Sequence, residues 1–281
     1  MAALDRLFVS DLDGTLLDPN ARLSEYTRTE LHRLLEAGLP FTIASARSIV
    51  SIKAILTGLP MTLPVIEFNG AYITDLATGH HQFCRSIGSE IVCSVIERAI
   101  SLNLPPFISA SANDDDRLYY HRTTNGGMEW YVDERVALQD ARLRQVSDLH
   151  CCLDDQVVCM TLIGTREQLS PLQAWIAEAF GEQIALNFYE NAYSPPWHWL
   201  TVHDRRATKD RALQVLAEDY GVPLGKVTVF GDAGNDLSMF EVAGTRVAVA
   251  NADPKLRSLA DVIIGPHHED SVVKYLASQH P

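Results

Sequence analysis

Short apolar runs, each followed by an amphipathic stretch of helical length, open this chain and return at its end. That alternation restricts the fold more than any other feature of the sequence. Leu7–Ser10, Phe41–Ala44 and Pro64–Phe68 have the character of buried strands. Between the first two, Ser24 is a good N-cap, Leu31, Leu34 and Leu35 share a helical face, and Gly38 marks the stop. Between the second and third, Ile49, Ile52, Ile55 and Leu56 line one side of a helix that ends before Gly58. Asn69-Gly70 then signals a tight turn. Near the C-terminus, a helix from Lys209 carries Leu213, Leu216 and Tyr220, and strands are expected at Val227–Phe230, Val247–Ala250 and Val262–Ile264. Helices over Asp236–Ala243 and Ser271–Ser278 complete this part. Strands alternating with helices predict a parallel sheet joined by right-handed crossovers.

The middle of the chain has a different grammar. A helix from Ser89 leads to strand-like runs near Phe107-Ile108 and Leu118–Tyr120, and another helix over Arg166–Ala179 follows a strand at Val157–Leu162. Two more strands are expected near Ile184–Phe188 and Trp199–Val202. Strands adjacent in sequence fit an α+β unit inserted into an α/β core, with the core at 1–85 and 198–281 and the insert at 86–197. A chain of 281 residues, 47% hydrophobic and 21% charged, has ample material for both.

Charge and cysteine content exclude several function classes. A net charge of −13 argues against an electrostatic grip on nucleic acid or on an anionic membrane. The five cysteines show no C-x-x-C spacing, so neither a disulfide framework nor a zinc site is expected. His80-His81 and His267-His268 lie in polar stretches and read as surface residues. No segment has the length and apolarity of a membrane span or signal peptide, and a cytoplasmic location is expected. The sequence carries no signal for an oligomeric state.

The chemistry gathers where strands end. Asp11 and Asp13 follow the first strand, with Gly14 and Thr15 behind them. In an open parallel sheet, ligands bind in the crevice beyond the strand ends. Two carboxylates one residue apart repel unless a cation lies between them or one is protonated. The pair suits a magnesium ion or an aspartate nucleophile, a solvated turn being the plain alternative. A calcium loop fits poorly, because no helix precedes it and the closing glutamate is missing. Gly231-Asp232-Ala233-Gly234-Asn235-Asp236 sets a second acidic pair after the Val227–Phe230 strand. Ser45 follows the second strand and could hydrogen-bond a phosphate oxygen, or simply cap a helix; Arg47 could pair with phosphate through its guanidinium. Lys209 opens a late helix, where it could neutralise both a phosphate and the opposing carboxylates, although a lone lysine there is usually solvated.

As an ordered set these residues resemble the four motifs of the haloacid dehalogenase superfamily: Asp11-Leu12-Asp13-Gly14-Thr15, Ser45, Lys209, and Gly231-Asp232 with Asn235-Asp236. An insert after the third strand and Asn69-Gly70-Ala71 resembles the Cof-type sugar-phosphatase branch, subfamily IIB. The resemblance implies a Rossmann-like core with an inserted mobile cap, and a phosphatase acting on a small phosphorylated metabolite, a sugar or polyol phosphate first. Asp11 would be the nucleophile, and Asp13 the acid that protonates the leaving oxygen and then activates water. Magnesium would be held by the Asp11 carboxylate, the Asp13 backbone carbonyl and Asp232, with Asp236 and Asn235 ordering its waters. Ser45 and Lys209 would hold the phosphoryl oxygens. Arg47, Asn69 and Gly70 are the expected substrate contacts in the core. His121, Arg122, Asn125, Tyr189, Asn191 and Trp197 are candidate sugar contacts in the insert.

Two positions depart from the branch pattern. Ser45-Ala46-Arg47 stands where Thr-Gly-Arg is usual, and Lys209-Asp210 where Lys-Gly is usual. Serine keeps the hydroxyl, whereas Asp210 adds a negative charge beside Lys209. Other outcomes are a phosphotransferase or mutase, a nucleotide or cofactor phosphatase, and a non-catalytic phosphosugar sensor. The sensor reading predicts loss of Asp11, Asp13 or Asp232, and all three are present.

Overall fold

The computed structural model describes residues 4–112, 115–191 and 194–280. The chain divides into two compact units, one formed by residues 1–83 and 208–281, the other by 84–207.

The first unit begins with β1 (Leu7–Ser10), α1 (Glu25–Glu36), β2 (Phe41–Ile43), α2 (Ile49–Leu56), β3 (Val65–Glu67), β4 (Tyr72–Thr74) and β5 (His81–Cys84). Each β1 residue is buried, and a fully buried side chain such as Val9 contributes roughly 1.5–3 kcal/mol relative to an exposed one. The α1 helix starts as its sequence predicts: the Ser24 hydroxyl accepts the Thr27 N–H at 2.9 Å, and Leu31, Leu34 and Leu35 face the core.

The middle unit contains α3 (Ser89–Ser101), β6 (Phe107–Ala112), β7 (Asp115–Tyr120), α4 (Gly126–Ala137), β8 (Leu143–Gln145), β9 (Gln156–Gly164), α5 (Arg166–Phe180), β10 (Ile184–Glu190) and β11 (His198–Asp204). Its sheet runs β10-β11-β9-β6-β7-β8, and all its pairs are antiparallel except β7 with β8. One cluster joins the α3 residues Val92, Val95 and Ile96 and the α5 residues Leu169, Leu172 and Ile176 to Ile108, Met160 and Leu200 of the sheet. A second joins Met128 of α4 to Phe107, Ile163 and Trp199. Because β11 is hydrogen-bonded to β9 and β10 along most of its length, His198–Asp204 lies in the middle sheet, and the return to the first unit follows Asp204, later than residue 198.

The chain then supplies α6 (Lys209–Asp219), β12 (Val227–Gly231), α7 (Leu237–Val242), β13 (Thr245–Val249), α8 (Pro254–Leu259), β14 (Val262–Ile264) and α9 (Ser271–Gln279). The main sheet of the first unit has the order β14-β13-β12-β1-β2, parallel throughout. A parallel bridge between Ala44 and Ile66 carries it on toward β3. From β1 the chain proceeds to β2 on one side; from β12 it proceeds to β13 on the other. The adjacent pair β1 and β12 is therefore the switch point of the sheet, where crossovers diverge and leave a crevice at the carboxyl ends. This is the expected Rossmann-like core with an inserted α+β unit. No helix among the described residues is long and apolar enough to cross a membrane.

Several elements lack a strong sequence signal. The α4 helix buries only Gly127 and Met128 of its twelve residues, so its apolar period is faint. The short strands β4, β5 and β8 and the six-residue α8 are similarly inconspicuous. His81 is no surface residue: its ring stacks on Tyr72 with centroids 3.9 Å apart.

Candidate active site

Strand register sets the site. Ser10 of β1 pairs with Phe230 of β12, so the next residues, Asp11 on one strand and Gly231-Asp232 on the other, leave the sheet side by side. The Asp11 N–H still donates to the Phe230 carbonyl at 3.0 Å. The chain then turns sharply through Gly14, at φ +73°. A Cβ on Gly14 would lie 2.3 Å from Asp232 Oδ2, so glycine is required both for the turn and for the approach of the second loop. Thr15 closes the gap by donating its hydroxyl to Asp232 Oδ1 at 2.9 Å.

Lys209 is fully buried between the two loops. Its Nζ donates to Asp11 Oδ1 at 2.5 Å and to Asp236 Oδ1 at 2.7 Å. The other Asp236 oxygen accepts the backbone N–H groups of Asp232 and Ala233 at 3.0 and 3.1 Å. Asp236 thus shapes its own loop while anchoring the lysine. Burial pulls the Lys209 ammonium toward neutrality, but Asp11 and Asp236 outweigh it and hold the group above the ordinary lysine range. The two carboxylates that hold the ammonium are thus Asp11 and Asp236, from the two acidic loops.

The acids themselves are under strain. Burial pushes the Asp11 carboxyl well above the usual range; Lys209 opposes this and Asp236 adds to it. Burial, then the Asp236 charge, lifts Asp232 to about 6. Asp11, Asp232 and Asp236 each offer an oxygen within 4.8 Å of the others. Three carboxylates share one ammonium, so the cluster is formally dianionic. An all-oxygen donor set with two uncompensated negative charges fits a hard divalent cation such as magnesium.

On the β2 side, Ser45 is buried and its hydroxyl accepts the Arg47 N–H at 3.1 Å. Arg47 grips Asp13 bidentately, Nε to Oδ2 at 2.7 Å and an Nη to Oδ1 at 2.6 Å. Asn69 accepts from the Asn235 side-chain amide at 3.2 Å, joining the β3 turn to the β12 loop. Gly70 lies against the backbone of Thr208, where a Cβ would be 2.2 Å from the carbonyl oxygen; that contact seats the start of α6 and hence Lys209.

All ten core residues singled out in the sequence therefore lie in the first unit, in loops tied to one another by these contacts. Sequence reasoning missed the supporting shell. Thr15 holds Asp232, and Asn251 donates to the Gly14 carbonyl at 2.8 Å. His267 bonds the Leu17 carbonyl through Nδ1 at 2.6 Å and moderates the rise of Asp232. Only Thr15 carried a signal, as the hydroxyl after Asp13-Gly14. In the middle unit, Asn125 caps α4 by accepting the Met128 N–H and donating to the Ile163 carbonyl. Arg122 donates to Asn103 at 3.0 Å, and Trp197 packs against Gly126 and Gly127. Those three side chains have structural tasks within the unit.

Comparison with known proteins places this arrangement. The model of the haloacid dehalogenase-like hydrolases matches residues 8–276. The chain is 25% identical over 277 residues to the 5-amino-6-(5-phospho-D-ribitylamino)uracil phosphatase YitU of Bacillus subtilis, covering 96% of each chain. It is 28% identical over 285 residues to the pyridoxal phosphate phosphatase YbhA of Escherichia coli, covering 97% of this chain and 98% of that one. The crystal structure of TM0651 from Thermotoga maritima superposes with a TM-score of 0.80 at 27% identity, over 98% of this chain and 97% of the other. With its acidic loops meeting at the switch point and a family match running nearly end to end, the chain belongs to the haloacid dehalogenase-like hydrolases.

Proposed function

We propose that this enzyme is a magnesium-dependent phosphatase that hydrolyses a small phosphate monoester through an aspartyl phosphate on Asp11. The observation that carries the reading is the buried Asp11 carboxylate at the end of β1, held on one oxygen by Lys209 within an acidic cluster of net charge −2. A carboxylate oxygen of Asp11 attacks phosphorus as the bond to the leaving alkoxide breaks. Asp13 donates the proton that makes this leaving group an alcohol. Asp13 then takes a proton from water, the water oxygen attacks phosphorus, and the Asp11–phosphoryl bond breaks to release inorganic phosphate. Lys209 and Ser45 hold the phosphoryl oxygens, so most of the rate enhancement is positioning and charge neutralisation. Asp11, Asp232 and the Asp13 carbonyl would hold magnesium, with Asp236 and Asn235 behind them; the ion supplies further neutralisation of phosphoryl charge.

Arg47 has a place in this scheme because of its partner. A phosphate dianion competes with Asp13 for the same bidentate donor. Substrate arrival therefore exchanges one anion for the other on Arg47 and frees Asp13 of its guanidinium partner.

The middle unit supplies substrate selection. A sugar or polyol phosphate is the first candidate, consistent with the ribityl phosphate in the name of the Bacillus subtilis relative. The Escherichia coli relative favours pyridoxal phosphate as the second. Phosphate release from sugar phosphates, polyol phosphates, pyridoxal phosphate, nucleotides and p-nitrophenyl phosphate, with magnesium and with chelator, tests the reading. Magnesium-dependent release from the wild type and none from Asp11→Asn is the expected result. No release from any compound by folded wild-type protein would shift the reading to a phosphosugar sensor. Transfer to an added acceptor instead of water would identify a phosphotransferase.

A further inference from the structure

The turn between β3 and β4 is built from three successive residues at positive φ: Phe68 at 48°, Asn69 at 57° and Gly70 at 106°. A non-glycine residue in that region costs about 1–3 kcal/mol and persists only where its surroundings hold it. Here the surroundings are the other loops of the site. The Ser45 N–H donates to the Ile66 carbonyl at 2.9 Å, the Asn69 N–H to the Ser45 carbonyl at 2.9 Å, and the Phe68 N–H to the Arg47 carbonyl at 3.2 Å. These bonds pin the Ser45–Arg47 backbone to the turn. Asn69 and Gly70 reach the Asp232–Asp236 loop and the start of α6 through the contacts already described.

Glu67 stands immediately before this turn and is completely buried. A buried carboxylate needs strong partners; one oxygen of Glu67 meets the chain just past Arg47, and the other faces Thr74 of β4 and, at 3.7 Å, Nδ1 of His81 in β5. Its Oε2 accepts the Ile49 N–H at 2.6 Å, and its Oε1 accepts the Thr74 hydroxyl at 2.5 Å. Ile49 is the first residue of α2, where backbone N–H groups have no acceptor within the helix. Ser48, in the cap position, provides no side-chain capping bond. The amide at the first position of α2, two residues beyond Arg47, thus finds its acceptor on β3, eighteen residues further along the chain.

We propose that Glu67 is a positioning residue of the active site: it fixes the start of α2, and so aims Arg47 at Asp13 and Ser45 at the phosphoryl group. The proposal rests on the phosphatase reading for its kinetic consequence and on geometry alone for its placement. Glu67 touches neither substrate nor reacting atoms. Its effect must therefore pass through Arg47 and Ser45, and that route separates it from a general contribution to stability.

Two variants and one exchange measurement test it. Glu67→Met keeps the volume of the side chain but removes the acceptor; Glu67→Gln keeps an acceptor oxygen. With p-nitrophenyl phosphate and magnesium, Glu67→Met should lower kcat/KM at least about 10-fold, the range for a hydrogen bond to a charged group. Glu67→Gln should recover activity to within about 3-fold of wild type, on the same scale. In an Arg47→Ala background, the Glu67→Met loss should largely disappear, because neighbours acting on one step are not additive. Equal losses in both backgrounds, or full activity in Glu67→Met, would overturn the proposal. Should Glu67→Met not fold, amide exchange in the wild type decides: the Ile49 amide should exchange at least about 100-fold more slowly than a free amide, since a first-turn N–H has no intrahelical partner. Free exchange there overturns the placement. A wild type without phosphatase activity would instead refute the reading of function, and the exchange result would still stand on its own.

Discussion

The two acidic loops of the site look alike in sequence and behave differently in the structure. Each follows a parallel strand and carries two aspartates. In the β1 loop both acids have a cation: Lys209 on Asp11, deep in the protein, and Arg47 on the half-exposed Asp13. In the β12 loop, among the described residues, only Asp236 has one, again Lys209, and its second oxygen is taken by backbone N–H groups. Asp232 is left with the Thr15 hydroxyl and with a carboxyl lifted to about 6. The contrast divides the labour. Each acid of the β1 loop faces a cation, one of them shared with Asp236, whereas the β12 loop holds in Asp232 a carboxylate with no ion pair among the described residues, in a cluster suited to a metal ion.

The largest effect is expected from neutralising the acid assigned the chemistry. Asp11→Asn should abolish phosphate release, with a fall in kcat of at least about 10⁴-fold, as for loss of a covalent nucleophile. The fold should survive, because the substitution removes a carboxyl that burial already disfavours in its charged form. Near-normal turnover by the folded variant would end the nucleophile assignment. Next in size is the shared cation. Lys209→Met removes the ammonium and leaves Asp11 and Asp236 buried without it, which should destabilise the protein by about 3–5 kcal/mol. Denaturant unfolding at neutral pH measures this; a loss below about 1 kcal/mol, the surface-pair range, would mean the lysine is not the keystone of both loops.

Asp232 should behave in the opposite sense. Its folded value of about 6 lies above the ordinary 3.8, so the folded protein binds this proton more tightly than the unfolded chain does. Its contribution to stability is present below about pH 4 and is lost as the pH rises through about 6. A rise of about two units corresponds to about 3 kcal/mol in the metal-free protein. Asp232→Asn should remove this loss, making the metal-free variant more stable than wild type at pH 7–8. The same change should weaken magnesium binding at least about 100-fold, at the upper end of what perturbing a ligand shell costs. Unfolding curves with chelator and with magnesium, taken from pH 4 to 8, test both halves. Unchanged magnesium affinity in the variant would show that the ion is held elsewhere.

Much of this site can be read in the sequence because its acids directly follow apolar runs. Leu7–Ser10 and Val227–Phe230 predict strands, and Asp11 and Asp232 lie at the expected ends. The helices with regular apolar faces and a cap, such as α1 with Ser24, are equally legible. What escapes is whatever depends on tertiary contact. Lys209 is one case: the sequence offers a neutraliser of the opposing carboxylates beside a solvated helix start, and only its contacts with residues 198 positions before it and 27 after it decide for the first. Glu67 interrupts an apolar run and gives no local hint of capping a helix that begins eighteen residues earlier. The α4 helix is masked by two glycines and a mostly exposed face, and the strand His198–Asp204 is a plausible member of either sheet until its partners are known. The sequence offers Arg47 as a candidate phosphate contact and gives no sign of its grip on Asp13, because a sequence cannot show which anion a guanidinium holds.

That grip yields the smallest stability effect and the most informative kinetic one. The side chains of Arg47 and Asp13 are 24% and 44% exposed, so solvent screens their attraction, and Arg47→Ala should cost no more than about 1 kcal/mol of stability. The kinetic loss should be larger, roughly 10- to 100-fold in kcat/KM, because a bidentate guanidinium–phosphate pair is a strong charge-assisted contact. Arg47→Lys should restore the charge but little of the rate, since an ammonium cannot hold two oxygens in the planar fork. Thermal unfolding beside steady-state kinetics on one substrate separates the two effects. If stability and activity fall together, and lysine rescues both, Arg47 is only a surface partner of Asp13. If stability holds while kcat/KM drops and lysine fails to restore it, the guanidinium passes from Asp13 to the substrate, and the compensated loop is the one that opens during the reaction.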